Sequence, residues 1–275
     1  GEGQRQLRQG SGAETYEGED MSTEERRDRP SRRRVVAGLG ASLAGVLGAA
    51  PALGQSTAVA SDVRQRFTRT FETAQLPGDL AAIGARLGAP MLLRVFKQER
   101  EVEVWVQPED QQTFVLFRIF PICFYSGKLG PKVKEGDMQS PEGFYFVGPA
   151  QMRAKSQYHR AIDFAFPNDY DAAQGYTGTE LLIHGNCVSS GCYAMTDPFV
   201  EQLYELGSAT AATAAQGFWI HAFPFHMTAE ALAEQQDSPW HGFWAQLKAG
   251  YDAFESRRVP PHIRVDSGRY VVAEV

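Results

Sequence analysis

The strongest constraint on how this 275-residue chain can fold is a change of hydrophobic period after Met91. "MLLRVF" and "EVEVWVQ" flank the polar turn "KQER", and Val102, Val104 and Val106 recur at every second residue. Successive strand side chains point to opposite faces, so a period of two beside a short polar turn predicts a β-hairpin. "TFVLFRIFPI" predicts a third strand, and "GFYFVG" a shorter one after the loop "SGKLGPKVKEGDMQSPEG". "TELLIH" and "GFWIHAF" are two more, and "IRV" with "RYVVAEV" about the turn "DSG" closes the chain.

Helices are expected around this sheet. Val63, Phe67 and Phe71 are four residues apart and line one helical face until Pro77-Gly78 breaks it, and a short helix is expected over Leu80 to Leu87. Asp197-Pro198 reads as an N-cap and first helical residue, with Phe199, Leu203 and Leu206 on one face and Gly207 as the end. A further helical region runs from Thr228 to about Glu255, broken at Ser238-Pro239. The expectation is one mainly β, mixed α+β domain over residues 91–275, preceded by a helical lead-in over 61–90. With 43% hydrophobic and 11% aromatic residues, the chain has ample material for a core.

The first 60 residues differ in kind. Residues 1–34 hold eight arginines, eight acidic residues and almost nothing apolar, a composition expected to be disordered. Residues 35–54, "VVAGLGASLAGVLGAAPALG", carry no charge, follow "SRRR" and precede small residues, which fits a cleaved export signal better than a permanent anchor. Met21 reads as the initiator, and the segment before it as an upstream artefact. Cleavage is expected after Gly54 or Ala60, leaving no stable transmembrane anchor, and Arg32-Arg33 leaves both the general and the twin-arginine export routes open. Because residues 1–34 balance and 35–60 are uncharged, the whole formal charge of -6 falls on residues 61–275. No basic patch follows Arg34, so nucleic acid is not an expected partner.

Chemistry concentrates in "IHGNCVSSGCYAM", Ile183 to Met195. Three readings compete. A disulfide suits an exported protein, but three cysteines leave at least one over. Cys187 and Cys192 can pair only if their loop curls back, whereas Cys123 could pair with either; the favoured reading of Cys123 is a buried apolar thiol. A zinc site could draw on His184, Cys187, Cys192 and His221, yet no second ligand pair accompanies Cys-x4-Cys, so no metal and no cofactor are expected. The catalytic reading places His184 at a strand end and folds Cys192 back toward it through a flexible glycine- and serine-rich link. There an imidazolium would stabilise the thiolate, and amides near Ser190, Gly191 and Cys192 would form an oxyanion hole. From residue types alone this is a cysteine acyltransferase or hydrolase.

"HGNCVSSGCYAM" resembles the signature of the L,D-transpeptidase (YkuD-type) catalytic domain, a histidine-glycine pair followed by Ser-x-Gly-Cys. The resemblance extends through "FPICFYSGKLGPKVKEGDMQSPEGFYFV", "YHRAIDFAFPNDYD" and "HAFPFHMT", roughly Met91 to Thr228, and is nearest to a branch with a short His-to-Cys spacing. It implies a β-sandwich-like catalytic domain acting on peptidoglycan stem peptides, with Cys192 as nucleophile and His184 as base. Gly185 would orient the imidazole, and Ser190 and Gly191 would belong to the oxyanion loop. Tyr193 and His221 are candidates for lining the substrate cleft. Three departures stand out: only seven residues separate His184 from Cys192, Ser190 stands where a second histidine is common, and Ala194 stands where an arginine is common. The short-spaced branch is associated with releasing a lipoprotein from peptidoglycan, so transfer and hydrolysis both remain open.

Two other readings are weighed. In a papain-like cell-wall peptidase, Cys192 would open a helix and His221 would be its base. A binding domain in the periplasm would instead be held by a Cys187–Cys192 disulfide. Cys187 reads as a supporting thiol or redox partner, Tyr145 as core, and His159, His226, His241 and His262 as surface or structural residues.

Overall fold

The computed structural model describes residues 72–213 and 216–273. The disordered segment, the export signal and the Val63–Phe71 helical face expected from the sequence lie outside them. Among the described residues, no helix is long and apolar enough to cross a membrane.

The hairpin is there. β1 (Met91–Phe96) pairs antiparallel with β2 (Glu101–Val106), which pairs with β3 (Val115–Pro121). On the other side β1 runs parallel to β10 (Phe218–Phe223), and β5 (Gly143–Val147) closes the edge, so the first sheet has the order β3-β2-β1-β10-β5. The second sheet has the order β4-β9-β8-β7-β6. Its strands are β4 (Phe124–Tyr125), β6 (Met152–Ser156), β7 (His159–Asp163), β8 (Leu182–His184) and β9 (Tyr193–Ala194). A terminal hairpin, β11 (Ile263–Asp266) with β12 (Arg269–Val272), matches the expected turn.

The two sheets share one core. Leu93, Val95, Val102, Val104, Ile220 and Ala222 of the first sheet pack with Ile162, Ile183 and Tyr193 of the second. Each fully buried aliphatic side chain of this kind contributes roughly 1.5–3 kcal/mol relative to exposure. Strand alternation sends the intervening residues of the first sheet to its other face. There Phe96, Phe144 and Phe223 pack with Trp244, Leu247 and Tyr251 of α5 (His241–Arg257). Both faces of β1 and β2 are therefore buried, and every residue of the two strands is sequestered.

Three helical expectations change. Pro77-Gly78 does not break a helix but lies inside α1 (Leu76–Ala81), with proline in the first turn, where a missing N–H costs nothing. The other short helices, α2 (Asp169–Ala173) and α4 (Ala229–Ala233), flank the sheets. α3 (Asp197–Ala211) runs past Gly207 to Ala211. Gly207 is a packing glycine: a Cβ there would sit 3.0 Å from Met152 Cε and 3.1 Å from the Phe218 ring. Asp197 is not the N-cap of α3, which is Thr196.

Candidate active site

β8 ends on His184, and alternation decides where its residues face. Ile183 enters the core between the sheets, while Leu182 and His184 face the other way. Parallel to β8 runs β9, whose register pairs Ile183 with Tyr193 and His184 with Ala194. Cys192, one residue before β9, packs with Ala161 and Leu182 and so belongs to the outward set. Sequence spacing of seven residues thus becomes adjacency across two neighbouring strands. Both His184 and Cys192 line an open cavity of about 610 Å³, together with Tyr158, Glu180 and Ser190.

The imidazole is fixed on one side and without a hydrogen-bond partner on the other. His184 Nδ1–H donates to the Gly185 carbonyl at 2.6 Å, and the ring stacks on Tyr158 with centroids 4.5 Å apart. Because that acceptor is a carbonyl, the proton is on Nδ1 and Nε2 carries the lone pair. Nε2 is buried and has no hydrogen-bond partner among the described residues. Gly185 itself is pinned, since its N–H donates to the Tyr158 carbonyl at 3.0 Å and a Cβ would run into the Asp197 carboxylate. That carboxylate accepts from the Asn186 N–H at 2.8 Å, so α3 begins by holding the turn that follows the histidine.

Cys192 is the free cysteine of the three, buried, and its thiol donates toward the Glu180 carbonyl at 3.5 Å. Burial pushes the Cys192 thiol up, against a smaller opposing pull from the Leu182 backbone. Burial also lowers the His184 imidazole, against the Gly185 bond. Both shifts favour thiol and neutral imidazole over the thiolate–imidazolium pair expected from residue types.

A network of serines holds the loop before Cys192. Ser189 Oγ accepts the Cys192 N–H at 2.8 Å and donates to the Cys192 carbonyl at 2.7 Å. Ser126 Oγ accepts from the Gly191 N–H at 2.5 Å and meets Ser189 Oγ at 2.8 Å; Ser140 Oγ donates to the Cys192 carbonyl at 2.8 Å. Two of the three amides expected to form an oxyanion hole are thereby engaged by serine hydroxyls, and Ser190, exposed on the cavity wall, has the unengaged N–H among the described residues. Gly191 adopts φ +126°, a conformation that side chains rarely take. Ser126 and Ser140 lie 66 and 52 residues before Cys192 in the sequence, which is why no local motif points to them.

Several expectations are corrected here. Cys123 is not a free buried thiol: it forms a disulfide with Cys187, Cα–Cα 5.5 Å, tying β4 to the left-handed turn at Asn186 and Cys187. The pairing removes Cys187 from any zinc set and removes the Cys187–Cys192 clasp. Tyr193 does not border the cleft; it points between the sheets, fully buried, and donates to the Pro141 carbonyl at 2.6 Å. Nor does His221. It lies on the helix-covered face of β10, edge-on to Phe144 at 4.8 Å, with its pKa lowered to about 3 by burial and by the Arg94 charge. A papain-like pairing of His221 with Cys192 is not formed.

Glu101, Glu103 and His226 bring three metal-type ligand atoms within 4.8 Å of one another. They hold one another and their neighbours: Glu101 meets His226 Nε2 at 2.8 Å, and Glu103 accepts from Trp105 Nε1 at 2.8 Å and Arg94 at 3.4 Å.

Comparison with known proteins bears on this geometry. Residues 95–213 match the YkuD model, described as the L,D-transpeptidase catalytic domain. The chain is 42% identical to the Escherichia coli strain K12 protein named "Putative L,D-transpeptidase YafK", over 188 residues that cover 68% of this chain and 76% of that protein. Two solved structures of the helical cell shape determining protein Pgp2 from Campylobacter jejuni are 18% and 16% identical, with TM-scores of 0.41 and 0.39. They cover 66% and 71% of this chain, and this chain spans 64% and 82% of theirs. By the extent and identity of the match to YafK, the chain belongs to the L,D-transpeptidase catalytic domain (YkuD) family.

Proposed function

We propose that the protein is a cell-wall cysteine acyltransferase acting on peptidoglycan stem peptides through a Cys192 acyl-enzyme. The observation that carries this reading is the His184 ring: tautomer fixed by Gly185, Nε2 without a partner, and a free thiol on the same cavity wall. Cys192 Sγ attacks the carbonyl of the stem-peptide bond before the terminal D-residue, and His184 Nε2 takes the thiol proton. The imidazolium returns that proton to the departing amine, leaving a thioester. An acceptor amine then gives its proton to Nε2 as it attacks the thioester, and the thiol is restored. The Ser190 N–H, open to the cavity, is the donor available to the developing oxyanion, with Ser126, Ser140 and Ser189 keeping the loop rigid.

Water in place of the amine gives hydrolysis from the same thioester, the reaction that would release a peptide or a linked lipoprotein. The charged and apolar leader belongs to the same proposal, as an export signal delivering the domain to the cell envelope. Wild-type and Cys192→Ala protein incubated with peptidoglycan fragments and followed by mass spectrometry test the reading. Exchange of a terminal D-residue is the expected outcome, falling at least ~10³-fold in the variant. Loss of a linked peptide without exchange would replace transfer by hydrolysis, and activity surviving in Cys192→Ala would remove the acyl-enzyme.

A further inference from the structure

An aromatic residue from a turn stacks on the His184 ring, and it is held there by three contacts. Gln157 and Tyr158 form the two-residue turn between β6 and β7, closed by the pairing of Ser156 with His159. Residues at such a turn are ordinarily solvated. Tyr158 is instead partly buried, and its ring lies against the imidazole at 4.5 Å with the two planes only 24° apart. Its N–H donates to Ser156 Oγ at 3.0 Å, and its carbonyl accepts from the Gly185 N–H at 3.0 Å. The next residue, His159, takes a left-handed backbone (φ 71°) and meets Glu201 of α3 at 2.8 Å. The turn is thus tied both to the strand end that carries His184 and to α3.

A positive charge on the imidazole has few other means of support. Nδ1 donates to the Gly185 carbonyl, burial works against the charged form, and no carboxylate pairs with the ring among the described residues. The charged groups on the surrounding elements are committed elsewhere. Asp197 of α3 accepts from the Asn186 N–H, Glu201 meets His159, and Arg153 of β6 pairs with Asp163 of β7 and with Glu180. Lys155 and Glu135 on the cavity wall and the Cys192 thiol complete the titratable set. The face of a tyrosine ring carries negative potential and attracts a cation within about 6 Å of its centroid, a range that the stacked imidazole meets.

We propose that Tyr158 is a positioning residue for the reaction above, its aromatic face holding the His184 ring and stabilising the imidazolium that forms when Nε2 takes the Cys192 proton. The inference rests on the Cys192–His184 reading. Tyr158 itself gives up no proton and makes no bond. The proton passes from Sγ to Nε2 and then to the departing amine, and the ring lowers the energy of the charged interval between the two transfers. The Gly185 carbonyl and the Tyr158 face together take the place of the third side chain that orients the base in other nucleophile–base pairs.

The test reads the imidazole directly. In the Cys192→Ala protein, NMR titration follows the His184 ring, its signal assigned by its loss in His184→Gln. Tyr158→Leu is expected to move the titration midpoint down by roughly half a pH unit, whereas Tyr158→Phe, which keeps the ring, should stay close to the parent. A pentafluorophenyl ring at position 158 keeps the shape but reverses the polarity of the face, and should lower the midpoint at least as far as Tyr158→Leu. With Cys192 in place, the acid limb of kcat/KM should move to lower pH in Tyr158→Leu, since the imidazole must be neutral to accept a proton. There kcat should fall about three- to tenfold with KM little changed, and Tyr158→Phe should restore most of it. Equal midpoints in the phenyl and pentafluorophenyl proteins would overturn the proposal, even if Tyr158→Leu failed to fold, and would leave the Cys192–His184 reading standing. Activity surviving in Cys192→Ala would instead remove that reading and, with it, the role of Tyr158 in turnover, whatever the midpoints.

Discussion

The two five-stranded sheets use the same alternation to opposite ends. In the first, the residues turned away from the shared core are covered by α5, so its polar members, Arg94, Glu103 and His221, are buried. Arg94 Nη1 pairs there with Glu255 at 2.7 Å, and the guanidinium lies over the faces of Tyr251 and Phe254 at 4.5 and 4.9 Å, while its Nε and Nη2 have no hydrogen-bond partner among the described residues. In the second, the outward residues around His184 meet a cavity instead of a helix. Each sheet has a histidine at an outward strand position with an unpartnered ring nitrogen. What covers the face, not the residue or its place in the strand, separates a core histidine from a candidate base.

The largest expected effect sharpens that contrast directly. His184→Ala should lower turnover by ~10²–10⁴-fold, the usual contribution of a positioned proton acceptor, whereas His221→Phe should leave turnover within about threefold. Steady-state rates of both variants on one stem-peptide substrate decide it. A large loss in His221→Phe, with normal folding, would break the distinction between the two faces.

A smaller effect concerns how the open sheet is held. The Cys123–Cys187 disulfide closes a loop of sequence separation 64, for which chain-entropy arguments give about 4 kcal/mol of stability. The Cys123→Ser, Cys187→Ser double variant should therefore unfold at lower denaturant by ~2–4 kcal/mol, with Cys192 alkylation becoming faster as the turn at Asn186 loosens. Unchanged stability would mean that the hydrogen bonds of the turn suffice.

The smallest effect belongs to the covered sheet and depends on pH. The folded-state pKa of His221 is lowered to about 3 from 6.5, so the unfolded chain binds this proton more readily than the folded one. Its contribution is complete above pH 6.5 and is lost as pH falls from there toward 3, by at most ~1.4 kcal/mol per unit. Denaturant titrations between pH 7 and 4 should show a shallower decline for His221→Phe than for the wild type. Parallel slopes would place the acid sensitivity elsewhere.

Legibility in the sequence followed the same divide. The β1–β2 hairpin, β10 and the β11–β12 hairpin could be read because an apolar repeat of two, bounded by polar turns, has few other solutions. β6 and β7 escape such a reading: "MRAKSQYHRAID" is rich in charge because one of its faces borders the open cleft and β6 is an edge. Gly207 read as a stop because helix propensity is local, while its neighbours Met152 and Phe218 are not. His184 and Cys192 stood out from composition and spacing. Ser126 and Ser140 did not, since their partnership with Cys192 exists only after the chain has folded. His221 could be placed on a face, but nothing in its strand tells which helix arrives to cover it.

The covalent link between Cys123 and Cys187 also bears on how a chain with three cysteines keeps one thiol free. Three cysteines allow three pairings, and the one seen here spares Cys192. The alternative nearest in sequence, Cys187 with Cys192, has a separation of only five residues. By occupying Cys187 from a distant segment, Cys123 acts as a protecting group: the oxidation that joins them removes the cysteine nearest in sequence to Cys192 as a disulfide partner.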